Sequence, residues 1–403
     1  MSDFLLNSTS PSPDDQEVTE GEKPPDPSPR PARPWRVAVI ANVKGETSLP
    51  IHSPQDAGAE FDRKETIQAI QAAIESDGHS TIFLQADASL PFKLSETCPD
   101  ICFNIAEGAG GDAREAQVPA LLEMLHIPYT ASRVLANALA LDKTMTKHIW
   151  SVAGLPTALF QEFSQADDPL DEHMTFPMFV KPAREGTGMG MGSESIVYDE
   201  AQLRRRVAWV IKEYAQPALV EEFLPGREFT VAVLGRRQAQ LYSRLPHLYA
   251  EDGFHRFPVL EIDNTRSATP GVYGHFTKTL TNDDPGVPGF ICPAPIPAEL
   301  ASELSELAIR AHQAIGALDV SRIDFRMDAA GHPRLLEINS LPGLTPGFSD
   351  ICVIANAEGI TYNDLILEIL YLGASRFGLL PARGEPRAAV TLPISQKQAA
   401  SKL

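Results

Sequence analysis

The 403-residue chain has no apolar run approaching the ~20 residues that cross a bilayer, and no charged-then-apolar leader opens it, so a membrane protein is not expected. Cationic side chains are scarce. Lys and Arg number 34 against 53 Asp and Glu, and the net charge of −19 argues against a nucleic-acid partner, whose phosphates need a basic face. Cysteine is scarce too: Cys98, Cys102, Cys292 and Cys352 read as reduced thiols and not as a disulfide framework. Cys98 and Cys102 have no second Cys/His pair at zinc-ligand spacing, so they read as structural. The expected compartment is the cytosol. The chain ends Ser401-Lys402-Leu403, a peroxisomal address only in a eukaryote and otherwise a chance tripeptide. Its length allows two or three domains with a sizeable core, and no internal repeat is visible.

What is present centres on Ser321–Met327 and Arg334–Gly343, two strand-length runs flanking Asp328-Ala329-Ala330-Gly331, which read as a β-hairpin. Arg322, Asp324 and Arg326 share one face of the first strand, and Glu337 and Asn339 share one face of the second. Pairing sets Asp324 beside Glu337 and Asn339. Two carboxylates and an amide oxygen are hard ligands, suited to Mg²⁺ when nucleotide phosphates and water complete its shell. Arg322 adds a fixed cation for an anion beside the metal.

Upstream, residues 1–34 hold eight prolines among Ser, Asp and Glu and read as a disordered leader. Strands at 35–41, 81–84 and 101–104 alternate with a helix at about 63–76, which predicts a small parallel α/β domain. Residues 105–115, with Glu107-Gly108 and Gly110-Gly111, form a glycine-rich loop before a helix at 116–125. It reads either as an anion or substrate contact or as a tight turn with no ligand. Leu141-Asp142-Lys143 opens the helix into the next domain. Phe176–Pro182 is a strand carrying Lys181, and glycines at 186, 188, 190 and 192 follow it. That run fits neither Gly-x-x-x-x-Gly-Lys-Ser/Thr nor Gly-x-Gly-x-x-Gly opening a helix, but suits a mobile phosphate-covering flap. A helix at 199–214 precedes 218–233, read as strand, turn, strand, where Glu221 and Glu222 could bind an adenine amino group and a ribose hydroxyl. Lys278 is a further candidate phosphate contact. Helices at 298–315 and 362–372 flank the hairpin, and little order is expected beyond about Leu380.

These motifs, in this order from about Trp35 to Leu372, resemble the ATP-grasp carboxylate–amine ligases, most closely the D-alanine–D-alanine ligase branch. The marks are Leu141-Asp142-Lys143, Val180–Gly186, Glu221–Thr230, Ser321–Asp324 and Leu336–Gly343. The resemblance implies an α/β fold, α+β in its ATP-grasp part: an N-terminal parallel domain at 35–140, a central lobe with the flap at 141–220, a C-terminal lobe with the metal site at 221–375, and a flexible tail from 376. Nucleotide would lie between the two lobes. Lys143, Lys181 and Lys278 resemble the lysines that reach the phosphates, with Gly186 in the flap. Glu221, Phe223 and Leu224 match the hinge that meets adenine, and Glu228 the acid that holds the ribose. Asp324, Glu337 and Asn339 match the ligands of two Mg²⁺ ions, with Mn²⁺ a substitute. Arg322 and the backbone at Gly343 match the groups that stabilise the tetrahedral oxyanion. A homodimer and small amino-acid-like substrates are expected from the family alone.

The pocket departs from that branch. Glu107-Gly108 stands where the branch has His-Gly, and Glu185-Gly186-Thr187-Gly188 where it has Glu-Gly-Ser-Ser, so Thr187 keeps a hydroxyl. Thr279 stands at a tyrosine position. The Glu-Arg-Glu-Val-Ser stretch is absent, with Asp62–Thr66 and hence Glu65 nearest to it. Ser349, in Gly347-Phe348-Ser349, is the counterpart of a serine that binds the second substrate's carboxylate. The expected activity is ATP-dependent joining of one amino acid's carboxylate to another's amine through an acylphosphate. Alternatives are a different amino-acid or peptide pair, or an ATP-binding protein whose activity has lapsed. Phosphoryl transfer asks for positioning and charge neutralisation, hence metals and lysines without an obligatory protein nucleophile. Because composition gives the leader nothing to bury, deleting residues 1–30 is expected to leave melting temperature and activity unchanged, as thermal denaturation and turnover assays would show.

Overall fold

The computed structural model describes residues 29–263 and 289–383. Lys278, Thr279, most of the leader and the terminal tripeptide lie outside the described residues.

Three sheets organise the chain. In the first, β1 (Arg36–Ala41) lies between β2 (Ser80–Gln85) and β3 (Ile101–Asn104), all parallel. From Val37 onward β1 is wholly buried, as a strand covered on both faces must be. The crossover helix α1 (Lys64–Glu75) turns Thr66, Ile67, Ile70, Ala73 and Ile74 inward. Helices α2 (Leu90–Thr97), α3 (Gln117–Met124), α4 (Val134–Leu141) and α5 (Lys143–Val152) follow.

A second, antiparallel sheet has the order β4-β7-β5-β6, from β4 (Phe160–Phe163), β5 (Met178–Pro182), β6 (Ile196–Val197) and β7 (Ala218–Glu222), with α6 (Glu200–Tyr214) against it. The third comprises β8 (Glu228–Gly235), β9 (Phe254–Arg256), β10 (Leu260–Asp263), β11 (Gly289–Ile291), β12 (Val320–Met327) and β13 (Pro333–Asn339). Its order is β11-β10-β8-β12-β13, with β9 also on β8. The segment expected to be strand, turn, strand is therefore split between sheets: β7 pairs with β4 and β5, while β8 pairs with β10 and β12. Burial explains the split. Every residue of β8 is buried, Phe229, Val231 and Val233 against α7 (Ala298–Ala314) and Ala232 and Leu234 on the opposite side, so the strand needs neighbours at both edges.

Helices α8 (Asp350–Ala357) and α9 (Tyr362–Arg376) end the described fold, and α9 packs on α1. Leu365, Ile366, Ile369 and Leu370 thus share one core with Val37, Ile67 and Ile70 from the other end of the chain. The approach is close. A Cβ at Gly373 would stand 2.9 Å from the Thr130 Cα, so α9 needs glycine there. All four cysteines are free thiols, and no described helix is long and apolar enough to cross a membrane. Leu370 is fully buried in this shared core. Leu370→Ala is expected to destabilise the fold by about 2–5 kcal/mol, measured by urea denaturation.

Candidate active site

The hairpin of β12 and β13 sets the register. Asp324 pairs with Glu337 and Arg322 with Asn339, all on one face. The register then shifts, because Asp324 faces Glu337 while Phe325 faces Leu335, leaving Leu336 as a bulge. The bulge turns Leu335 into the core and leaves Leu336 on the cleft side with Glu337, a use of bulges common beside functional sites. Asp324 is buried. One of its oxygens accepts from Thr230 Oγ1 and from Arg322 Nε at 3.0 Å, the other from Arg322 Nη2 at 2.8 Å and Asn339 Nδ2 at 3.3 Å. Arg322 also pairs with Asp350 at 3.1 Å. Burial works against the guanidinium's charge, but Asp324 and Asp350 outweigh it and lock the cation in place.

Lys143 begins α5, whose N-terminus Asp142 caps by accepting from Met145 N at 2.9 Å; the other Asp142 oxygen holds Arg184 Nε at 2.8 Å. The Lys143 ammonium lies 3.2 Å from Glu337 Oε2 and also donates to the Glu185 carbonyl, so it spans hairpin and flap. Lys143, Gly186, Thr187, Arg322, Glu337 and Asn339 all line one cavity of about 360 Å³, and Gly343, Glu107 and Ser349 complete its wall. Thr187 has φ +51°, a conformation disfavoured for a β-branched residue, and sits between two glycines of the flap.

A second cavity of about 60 Å³ is lined by Lys181, Glu221, Phe223, Leu224, Glu228 and Leu336, with Glu222 at its exposed rim. The buried Glu221 carboxylate is gripped by Lys147 at 2.7 Å and Lys181 at 2.8 Å. Burial would raise its pKa, but the two ammoniums hold it below the usual carboxylate range. Lys147 also donates to Thr157 Oγ1 at 2.7 Å and to the Leu335 carbonyl at 3.2 Å, which ties it to the framework.

Glu65 does not join the site. It is exposed, because the helical period that turns Thr66, Ile67 and Ile70 inward leaves it on the solvent side of α1. Its expected place is taken by Glu60 and Asp62, on the loop before α1. Ser349 faces the cavity, but its Oγ accepts from Thr345 N at 2.9 Å.

Comparison with known proteins agrees with this architecture. The sequence model for the D-ala D-ala ligase C-terminus matches residues 149–371. This chain belongs to the D-alanine–D-alanine ligase family. An uncharacterised protein, y4sG, of Sinorhizobium fredii is 33% identical over 77% of the chain and 87% of its own length. The D-alanine–D-alanine ligase of Moorella thermoacetica is 30% identical over 75% and 92%, and that of Brucella anthropi 32% over 74% and 88%. A crystal structure of the Bacillus anthracis D-alanine–D-alanine ligase complexed with ATP superposes with TM-score 0.62 at 19% identity, covering 86% of this chain and 98% of that one. The fold is therefore that of the ATP-grasp D-alanine–D-alanine ligases.

Within this family fold, several groups at the cavity were not singled out from the sequence. Lys147 lies one helical turn after Lys143, a spacing that places both on one face. Glu60, Asp62, Arg114 and Glu115 come from two loops that only the fold brings together. Arg114 donates to Glu60 Oε1 at 2.8 and 3.0 Å, to Glu185 Oε2 at 3.0 Å and to the Arg184 carbonyl at 2.9 Å. Burial and then the charges of Glu115, Glu60 and Asp62 raise the Glu107 pKa well above normal, with Arg114 only partly opposing. Burial and Glu60 likewise raise Glu115, and burial pushes Asp62 up to about 7.

An unfolded aspartate ionises near pH 4, so between about pH 4 and 7 the folded chain keeps a proton that the unfolded chain has lost. Stability falls as pH rises through that window. Asp62→Asn is expected to leave stability unchanged near pH 4 and to raise it progressively toward pH 8, by up to about 4 kcal/mol, as denaturation of both proteins across pH would show.

Proposed function

We propose that this protein is an ATP-dependent carboxylate–amine ligase that joins two amino-acid-like substrates, releasing ADP and phosphate. The observation that carries the proposal is the hairpin register, which gathers Asp324, Glu337, Asn339 and Arg322 on one face with the Lys143 ammonium against it.

The donor set fits Mg²⁺. Two carboxylates and an amide oxygen are hard ligands, and among the described residues no group of three or more His, Cys, Asp or Glu could hold a metal alone. A cation here must share its shell with phosphates and water, as Mg²⁺ does beside a nucleotide. Asp324, Glu337 and Asn339 would hold it, two ions by analogy with the family, with Mn²⁺ able to substitute. When bound, the metal neutralises phosphate charge and favours in-line transfer.

The chain's own side chains have complementary tasks. Lys143 and Lys181 supply fixed positive charge for the phosphates. Phe223 and Leu224 offer apolar surface to a nucleobase, and Glu221, Glu222 and Glu228 offer acceptors for its amino group and the sugar hydroxyls. The substrate carboxylate takes the γ-phosphoryl group and ADP leaves. The second substrate's amine then adds to that carbonyl, forming the C–N bond, losing a proton and expelling phosphate. Arg322 and the backbone N–H at Gly343 stabilise the oxyanion of the addition. The flap, with Gly186 and Thr187 over the cavity, keeps water from the activated carbonyl. D-Alanine with itself is the first pair to test, because relatives bear that name.

Phosphate release on mixing the protein with ATP, Mg²⁺ and pairs from an amino-acid panel, with product mass, tests this reading; ATP binding without turnover on any pair would overturn it. Asp324→Asn is expected to lower turnover at least about a hundredfold while the native circular-dichroism spectrum is retained, with a lower melting temperature because Arg322 loses a buried partner. Retained activity would place the metal elsewhere.

A further inference from the structure

The main cavity has two chemically different ends. At the hairpin, charges are matched: Glu337 by Lys143, and Asp324 and Asp350 by Arg322. At the end formed by the loops after β1 and β3 they are not. Asp62, Glu107 and Glu115 line the cavity there, and none of their carboxyl groups forms a hydrogen bond or ion pair with another described residue. Glu115 is only 9% exposed, so its unpaired carboxyl is nine-tenths buried and borders the void. In the empty protein its oxygens have only water in the cavity to bond to, which a ligand's donors would replace.

The nearby cation is already committed. Arg114 spends its donors on Glu60, Glu185 and the Arg184 carbonyl. Lys44 and Arg63 stand at the exposed rim of the cavity, and neither pairs with these acids. Among the described residues, five carboxyl groups, Glu60, Asp62, Glu107, Glu115 and Glu185, therefore meet one guanidinium, and the Lys143 ammonium, already held by Glu337 and the Glu185 carbonyl, acts on Glu115 and Glu185 only through space. A further metal ion does not resolve the surplus, since the described acids converge nowhere as a ligand set of three or more. Spread-out acceptors with free lone pairs suit ammonium groups, each of which donates up to three hydrogen bonds without a fixed coordination geometry. One α-ammonium could pair with only part of this set, leaving the remaining acids either protonated or without a cation.

We propose that this acid-lined end selects a substrate with two ammonium groups, a diamino monocarboxylate of the lysine or ornithine class, whose carboxylate extends toward Arg322 and is the group activated. The inference rests on the ligase reading for the fate of that carboxylate, but the selection itself is a binding property. Asp62, Glu107 and Glu115 are its specificity determinants, and Glu60 is shared between substrate and Arg114.

Isothermal titration calorimetry on the full chain with lysine, ornithine, norleucine and glutamate, each enantiomer, tests the selection without turnover. Lysine or ornithine in one configuration is expected to bind at least about tenfold more tightly than norleucine, which has the same chain without the second charge. In the double variant Glu107→Gln, Glu115→Gln that ratio should fall to within about twofold, while the melting temperature without ligand rises at pH 8 because like-charge repulsion is removed. A merely structural role would lower it. Should the double variant not fold, Asp62→Asn must reduce the lysine preference severalfold. Equal binding of norleucine and lysine, tightest binding of glutamate, or a preference that survives these variants would overturn the proposal. Phosphate release on the same panel separates the two readings: a lysine or ornithine preference with no ATP turnover sinks the ligase and spares the selection, whereas turnover of neutral amino acids alone does the reverse.

Discussion

The structure depends on two carboxylates being held side by side in a cavity wall. Asp324 and Glu337 face one another across the β12–β13 ladder, and left alone they would repel. Arg322 and Lys143 offset that repulsion, one from the strand itself and the other from the start of α5. The register cannot drift. On its other face β12 presents Ile323 and Phe325, both fully buried, so a slip of one residue would put Asp324 in the core and Ile323 in the cleft. Because β12 is paired on both sides, with β8 and β13, a slip would also break two ladders at once.

From this fixed point the cleft divides by charge. Toward the second cavity, two cations flank one acid, with Glu221 between Lys147 and Lys181. Such a buried, paired arrangement gives shape and fixed potential without adding much net stability. Toward the N-terminal sheet the balance fails, and Glu107, Glu115 and Asp62 crowd together with raised proton affinities. Proton uptake eases that crowding in the empty protein, and a bound cation would replace those protons. Positions that weaken the empty protein in this way are characteristic of sites shaped for a ligand and not for packing.

The hairpin was legible in the sequence because strand periodicity and a short glycine-containing loop leave little choice of register, so Asp324, Glu337 and Asn339 could be placed together from spacing alone. Lys143 and Lys181 were legible by their motifs. The acidic end was not. Glu60 and Asp62 lie in an irregular loop where no period reports which side chain points inward, and matching Asp62–Thr66 to the family's Glu-Arg-Glu-Val-Ser stretch selected Glu65, on the solvent face of α1. Arg114 and Glu115 stand in a short 3₁₀ turn whose partners are about 55–70 residues away in sequence. The separation of β7 from β8 was hidden for a related reason. Local sequence shows two strands and a break, but only the burial of β8 on both faces assigns it to a different sheet.

The flap is fastened by acids of the loop before α1, one of which, Glu60, borders the cavity. Asp56 accepts from Gly190 N at 2.9 Å and from the Tyr214 hydroxyl, and Glu60 lies so close to Gly186 that a Cβ there would meet its carboxylate oxygen at 2.6 Å. Arg114 then joins Glu60 to Glu185 and to the Arg184 carbonyl. A cover that must open and close is better held by a few charge-assisted hydrogen bonds than by apolar burial, since water can replace the former at modest cost. The arrangement has a further consequence. Positive charge entering the acidic end relieves the repulsion that Glu107 and Glu115 exert on Glu60, which frees Glu60 to serve Arg114 fully. Under the proposed reading, filling of the acidic end would thereby be coupled to the Glu60–Arg114 fastening of the flap.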